Sequence, residues 1–375
     1  MAISTIGASA LDSGVSQLGK NLIQNGSFVV AQRGTSFTGL GTAAAYTLDR
    51  WKVDINGSPQ ARVTITQDTD VPSGQGFASS LKIDVTTAES AAAAGETFHV
   101  FQNIEAQNLQ LLAYNTASAK TMALSFWFKS PKSGTHCVTI DNQDGGSTYI
   151  REFTVASADT WEKHSVTFPG DTAAGINNDN GTGLTLIFPL INGTTYQGTA
   201  NTWTGSGTQW STSNQQNLLD NTANNIYIAG VQLEVGSVAT DFEHENYGTT
   251  LAKCQRYFRN TIQQSGVNKH MFHGVAYNTT RVWMHVDFQP PMRGAVTAGY
   301  TGTASQIYIR YAGGTNGIGS TGTPSIQGSG SDGSSIEFLL DIASGTPFTV
   351  GEGIDVVMVG GSGGSANSFY FDAEL

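Results

Sequence analysis

Gly230-Val231-Gln232-Leu233-Glu234-Val235-Gly236-Ser237-Val238-Ala239-Thr240-Asp241-Phe242-Glu243 reads as the last strand of a β-sandwich and its exit. Leu251-Ala252-Lys253-Cys254-Gln255-Arg256-Tyr257-Phe258 follows a few residues on. The residues before this stretch have the pattern of one β-domain. Those after it have the pattern of another, with a different composition.

From Asn21 to about Glu245 the apolar residues recur with period 2. Val63 and Ile65 share a face, as do Leu81, Ile83 and Val85, and Met122, Leu124, Phe126 and Phe128. Further strand runs are Cys137 to Ile140, Tyr149 to Val155, Trp161 to Phe168, Leu184 to Phe188 and Ile226 to Leu233. Asn56-Gly57, Asp144-Gly145-Gly146, Pro169-Gly170-Asp171, Asn180-Gly181 and Asn192-Gly193 punctuate them as turns. Short strands at this spacing, with nothing helical between them, predict an all-β, antiparallel jelly-roll sandwich over residues 21–245. Residues 194–222 form a long polar excursion carrying Tyr196, Trp203 and Trp210. A helix is expected from Thr249 to Phe258, within a linker at 246–260, because Leu251, Cys254 and Phe258 fall on one face. Strands return after Thr261, at Phe272 to Ala276, Val282 to Phe288, Gln306 to Tyr311, Ile336 to Asp341, Ile354 to Met358 and Phe369 to Asp372. They predict a second, smaller β-sandwich over 261–375, with a Gly/Ser/Thr-rich loop from Ala312 to Ser335. Residues 1–20, with sparse apolar points, are expected to be an attachment arm.

The chain has 375 residues, enough for two or three domains. Only 13% are charged and glycine is the commonest residue, with 45 copies; that is about half the usual charged share. A surface of small uncharged polar residues is common in extracellular β-proteins and virion components. The net charge is −11, and no long basic run exists to meet nucleic acid. No apolar run reaches the ~18 residues of a membrane span. The N-terminus lacks the basic and apolar regions of a signal peptide. Cys137 and Cys254 are expected as free thiols, not as a disulfide framework.

Three stretches together resemble known proteins. Asn21-Leu22-Ile23-Gln24-Asn25-Gly26-Ser27-Phe28 resembles the opening strand of carbohydrate-binding-module jelly rolls of the family 4/9/22 kind. Leu124 to Lys129, with Phe153-Thr154-Val155 and Trp161-Glu162-Lys163, resembles their middle strands. Ile226 to Gly236 with Ala239 to Glu243 resembles their closing strand. That closing strand followed by Leu251 to Phe258 resembles a pattern of bacteriophage tail-fibre and related virion proteins. The family commonly places acidic residues for a structural calcium after the opening Phe and in the closing strand. Here those positions hold Val29 and about Ala229, and no metal and no cofactor is expected.

The resemblance implies a structural virion protein that is not an enzyme. Its expected form is a homotrimeric tail fibre, with residues 1–20 meeting other virion proteins and a host cell-surface glycan as the receptor. A capsid decoration or head-fibre protein is the alternative on the same fold. A polysaccharide depolymerase is the alternative of another class, although no regular β-helix repeat is visible.

Tyr196, Trp203 and Trp210 are the candidate glycan-binding residues, because aromatic faces offer apolar contact to sugar CH groups. Trp51 and Trp161 are expected in the core. Gly317 to Gly322 matches GxGxxG and Gly360 to Gly364 matches GxSxG, but neither has the strand-turn-helix setting its chemistry needs. Asn177 to Gly181 and Asp141 to Gly145 lack the terminal Glu of a calcium loop and read as Asx turns. Asp241, Glu243 and Glu245 alternate on one face of a strand exit. His270, His273 and His285 read as surface or core histidines.

Overall fold

The computed structural model describes residues 20–262, 269–301, 307–312, 314–317, 325–329, 333–341, 348–358 and 368–375. Apart from Lys20, the expected attachment arm lies outside the described residues. So do most of the GxGxxG match and all of the GxSxG match.

The chain divides into two compact units. The first is Met1–Val29, Thr35–Thr47 and Trp51–Asn246; the second is Val30–Gly34, Leu48–Arg50 and Tyr247–Leu375. Two short segments expected within the jelly roll, 30–34 and 48–50, therefore cluster with the later residues.

The first unit contains β1 (Ser36–Leu40), β2 (Ala45–Tyr46), β3 (Lys52–Asn56), β4 (Arg62–Asp68), β5 (Ser80–Thr87), β6 (Thr97–Glu105), β7 (Met122–Lys129), β8 (Gly134–Asn142), β9 (Ser147–Val155), β10 (Glu162–Phe168), β11 (Thr182–Asn192), β12 (Trp203–Thr204) and β13 (Asn225–Val235). They form a six-stranded sheet, β1-β4-β5-β13-β7-β10, and a seven-stranded sheet, β12-β9-β8-β11-β6-β3-β2. Every named pairing is antiparallel, as the jelly-roll reading requires. The inward alternation supplies the core. Val63, Ile65, Leu81, Ile83, Leu124, Phe126, Val138, Ile140, Leu186 and Ile228 are all fully buried.

The closing strand β13 is the seam of this unit. Residues Asn225 to Ile228 pair with β5, and the strand pairs with β7 along its length, with an irregularity between Ala229 and Gln232. Gly230 sits at that irregularity with φ +57°, and a Cβ there would meet the Phe77 ring at 2.3 Å. No other residue meets both demands. Past this point the opening segment takes over as neighbour. Val231 N donates to Gly26 O (2.9 Å), Leu22 N to Leu233 O (2.8 Å) and Leu233 N to Asn21 Oδ1 (3.1 Å). The approach is so close that a Cβ on Gly26 would lie 2.1 Å from Val231 O. The exit is tied back by side chains. Glu234 accepts from Thr240 N, and Glu243, itself buried, accepts from Asn21 N while its own N donates to Gln232 Oε1. Glu243 is thus a structural acceptor and does not share an outer face with Asp241.

In the second unit the helix α1 runs over Tyr247–Gln255, and β14 (Phe258–Ile262) follows. The expected helix through Phe258 therefore ends early. Pairing of Phe258 with Asp372 and of Thr261 with Phe369 draws these residues into a strand, so tertiary pairing overrides the helical face pattern. The remaining strands are β15 (Lys269–Ala276), β16 (Arg281–Asp287), β17 (Thr297–Thr301), β18 (Ile307–Tyr311), β19 (Gly314–Gly317), β20 (Ser325–Ser329), β21 (Ser335–Asp341), β22 (Gly353–Met358) and β23 (Ser368–Asp372). A three-stranded sheet, β14-β23-β17, and a seven-stranded sheet, β19-β18-β22-β15-β16-β21-β20, enclose the core. Phe272, Met284, Phe288, Ile309, Val356, Phe369 and Phe371 lie in it. The expected loop from Ala312 to Ser335 contains β19 and β20, two short strands at the sheet's edges.

The segments 30–34 and 48–50 bring charge into this unit. Arg33 pairs with Asp372 (3.1 Å) and Glu374 (3.3 Å), and Arg50 pairs with Glu374. The Arg50 guanidinium lies 3.5 Å from the centre of the Tyr257 ring, and that of Arg33 lies 3.5 Å from Phe258. Arg50 and Glu374 are both fully buried as side chains. Cys254 is buried there as a free thiol whose pKa is pushed up by burial.

Candidate ligand-binding face

Strand register decides which residues face away from the first unit's core. In β8, Ile140 opposes Tyr149 and Leu186 on the core side; Thr139 opposes Ile150 and Ile187, and Asp141 opposes Thr148 and Thr185, on the outer side. His99 of β6, opposite Pro189, belongs to the outer side too. An outer face of this kind would normally meet water. Here Thr139, Asp141, Thr185, Ile150 and His99 are all buried.

The cover is the chain's own polar excursion. Its return segment crosses the outer face near Trp210. Thr139 Oγ1 donates to Trp210 O (2.7 Å), Cys137 N donates to Gln215 Oε1 (2.6 Å) and Asn214 Nδ2 donates to Glu152 Oε1 (3.0 Å). The excursion also closes on itself, with Trp210 N donating to Tyr196 O (2.9 Å) and Gly198 N to Ser211 O (2.8 Å).

The structure brings two of the three candidate aromatics together. Tyr196 and Trp210 stack with ring centres 5.0 Å apart and planes 15° from parallel. His99 meets Trp210 edge-on at 5.0 Å. The Trp210 indole Nε1 donates to Asp141 Oδ2 (3.1 Å), which also accepts from Gln143 Nε2 (2.8 Å). Trp203 goes elsewhere. It opposes Tyr149 at the sheet's edge, on the core side, with its ring against Tyr149 and Tyr114 and its Nε1 donating to Pro169 O (3.0 Å). It plugs the end of the sandwich. Trp51 is fully buried, whereas Trp161 is only half-buried. Trp161 Nε1 donates to Asp70 Oδ1 (2.8 Å) at the end of the six-stranded sheet, because an indole N–H retained near the surface finds a carboxylate there.

Burial shifts the ionisable groups beneath the stack in opposite directions. It pushes the Asp141 carboxyl up to about 6, against the lowering effect of its Trp210 and Gln143 hydrogen bonds. It pushes His99 down to about 4, against its bond with Asn192. Both groups therefore favour the neutral form more than they do in water.

Beside the stack lies a cleft of about 230 Å³, lined on one side by Asn192, Thr194 and Gln197 and on the other by Ser90, Gln215, Gln216 and Asn217. Asn192 links it to the stack through its contact with His99. The amides are set by backbone groups. Gln197 Nε2 donates to Asn192 O (3.0 Å), and Asn217 Nδ2 donates to Glu89 O (2.8 Å). Among the described residues, no carboxylate, imidazole or cationic side chain lines this cleft. It can hydrogen-bond a neutral polyhydroxylated ligand. The amide lining was missed from sequence, since scattered Gln and Asn in a polar loop carry no spacing signal.

Among the described residues, no group of three or more His, Cys, Asp or Glu side chains is placed to hold a metal ion. Gly181 N donates to Asp179 Oδ1 (2.8 Å) and Gly145 N to Asn142 Oδ1 (3.0 Å), the expected Asx-type turns. In the second unit, His285 faces Asp287 (3.0 Å) and Glu337 (3.8 Å), and His273 faces Asp355 (3.5 Å).

No family model matches the chain, and no curated protein matches it in sequence. Solved structures similar to it include the enzymatically active domain of tailspike protein 4 from bacteriophage CBA120, at 15% identity and a TM-score of 0.32 over 58% of this chain. The family 11 carbohydrate-binding module of a Clostridium thermocellum cellulosomal cellulase matches 54% of this chain and 95% of its own, at 11% identity and a TM-score of 0.28. A tandem of two family 22 carbohydrate-binding modules from Paenibacillus barcinonensis matches 96% of this chain and 98% of its own, at 12% identity and a TM-score of 0.27. The matched region spans only 21% of the tailspike chain.

Proposed function

We propose that the protein is a host-facing virion appendage, a homotrimeric phage tail fibre that adsorbs to a cell-surface glycan. One observation carries the binding part of this reading: the uncharged, amide-lined cleft beside the Tyr196–Trp210 stack. Neutral donors and acceptors next to an aromatic pair match what a sugar presents, hydroxyls around an apolar CH face. Tyr196, half-buried and next in the chain to Gln197 of the cleft lining, is the contact residue in this proposal. Trp210 holds Tyr196 in place, and Trp203 fixes the outgoing half of the excursion. The virion part is supported by the closing strand followed by a short helix, and by the charge-poor, glycine-rich composition. In a trimer, weak glycan contacts would add through multivalency. Residues 1–20 are assigned to attachment on the particle.

A glycan array and a cell-adsorption assay with Tyr196→Ala test the binding reading. Adsorption should fall at least tenfold while the melting profile stays close to that of wild type; unchanged adsorption retires the site. Light scattering should give a mass near three times 39.5 kDa, and a monomer retires the trimer. Density for the protein on the capsid, not the tail, favours the decoration-protein alternative. Release of reducing ends from host polysaccharide favours the depolymerase.

A further inference from the structure

We infer that the second unit carries a separate binding site for an acidic oligosaccharide on the outer face of its seven-stranded sheet. The inference rests on the reading of the protein as a glycan binder and extends it to a second site with a different ligand class.

The register places a row of side chains across that face. Arg310 of β18 opposes Asp355 of β22, which opposes His273 of β15. Two residues along β15, Val275 opposes Gly353 on one side and Trp283 of β16 on the other. Trp283 meets Tyr277 edge-on at 6.1 Å. Trp283, Tyr277 and Val275 are 39%, 54% and 45% exposed, which is unusual for large apolar side chains clustered in one place. A cleft of about 400 Å³ opens at the other end of the row, lined by His273, Arg310, Gly353 and Asp355 among others. Gly353 leaves the path between the two ends open, since a Cβ there would meet no heavy atom within 4 Å.

The chemistry of the two ends is complementary to one ligand type. The exposed aromatic pair offers an apolar ring face to the CH side of a pyranose. At the cleft, His273 Nδ1 lies 3.5 Å from Asp355 Oδ1, and Arg310 belongs to the same lining. Arg310 has five N–H donors in a fixed fork, and no carboxylate among the described residues pairs with it. A ligand carboxylate completes the set, which points to a uronate or sialate sugar. From Trp283 to Arg310 the row crosses three strand spacings, roughly 14 Å, so an oligosaccharide and not a single sugar fills it. The first unit's cleft, with no charged group in its lining, has no such preference.

The test uses the full-length chain with oligomers of polygalacturonate, polysialic acid and carboxyl-reduced polygalacturonate, and isothermal titration as the readout. The expected result is binding of at least one acidic oligomer, weakened at least tenfold by both Trp283→Ala and Arg310→Gln. The carboxyl-reduced oligomer should bind at least tenfold more weakly than its parent, and Tyr196→Ala should leave acidic binding unchanged. Unaltered binding in Trp283→Ala and Arg310→Gln overturns the inference, as does equal binding of the reduced oligomer. A change in molecular mass on Trp283→Ala overturns it too, by making the face a contact between copies. A wild-type chain that binds neutral glycans but no acidic oligomer sinks this site and leaves the Tyr196 reading standing; one that binds no glycan sinks both.

Discussion

Each unit contains a seven-stranded antiparallel sheet, and the two sheets treat their outer faces in opposite ways. The first is roofed by the chain's own excursion, so Trp210, His99 and Asp141 interlock beneath it. The second is open, among the described residues, along the row from Trp283 and Tyr277 to Arg310 and Asp355, although Leu339 and Val357 on the same face are buried. Similar residue types, an aromatic pair, a histidine and an aspartate, thus do different work. Under a roof Trp210, His99 and Asp141 hold the fold together and leave Tyr196 as the part-exposed member, whereas on the second sheet both aromatics are part-exposed. Exposure, not residue type, separates the two roles.

Several measurements would break or sharpen this contrast. The largest effect is expected away from both faces. It falls on the buried Arg33, Arg50 and Glu374 cluster of the second unit, because removing one partner of a buried ion pair strands the other's charge out of water. Glu374→Ala leaves the Arg50 guanidinium buried without its carboxylate, a loss of about 3–5 kcal/mol. Chemical denaturation should show the second unit's transition shifted to lower denaturant and the first unit's unchanged.

Trp210→Ala comes next. It removes a half-buried ring, strips Asp141 of a donor and unseats Tyr196, at a cost of about 2–3 kcal/mol to the first unit. A cost below ~0.5 kcal/mol would mean that the roof is not structural, and the contrast would fail.

The pH dependence beneath the roof is a subtler probe. His99, held near 4 against an unfolded value of ~6.5, binds its proton more weakly in the fold. Stability should therefore fall as pH drops from about 6.5 to about 4. Asp141, raised to about 6 against an unfolded value of ~3.9, binds its proton more tightly in the fold. It should therefore add stability as pH falls from about 6 to about 4, so the two effects largely oppose each other. Asp141→Asn removes one of them. Between pH 6.5 and 4 the variant should lose on the order of 2 kcal/mol more than wild type, read from denaturation midpoints at each pH. Parallel curves would show that the pair does not titrate as its burial implies.

The smallest stability effect belongs to the open row of the second sheet. Trp283→Ala should cost no more than ~1 kcal/mol, because an exposed ring loses little burial. A cost as large as that of Trp210→Ala would erase the distinction between the two sheets.

Much of the fold was legible in the sequence because its physics is local. Runs such as Met122 to Phe128 and Val282 to Phe288 alternate cleanly, and each becomes a strand within a residue or two. β6 was not recognised, and its reason lies with the roof. Thr97-Phe98-His99-Val100-Phe101-Gln102 breaks alternation because both faces of that strand are buried, one by the core and one by Trp210. Arg33 and Arg50 gave no sign that they would be buried, since lone arginines belong on surfaces and their partners lie more than 300 residues away. Of the site, the aromatics stood out by type. The division of Trp203 from Trp210 could not, because the face that a loop residue takes depends on how the loop returns.

The two short early segments in the second unit have a consequence for dissecting the protein. Arg33 and Arg50 lie in the sequence amid the residues of the first unit, yet they pair with Asp372 and Glu374 in the second. A fragment begun at Tyr247 would carry those carboxylates without either guanidinium. The unit that is continuous in space is therefore discontinuous along the chain, and no single cut in the backbone releases it whole.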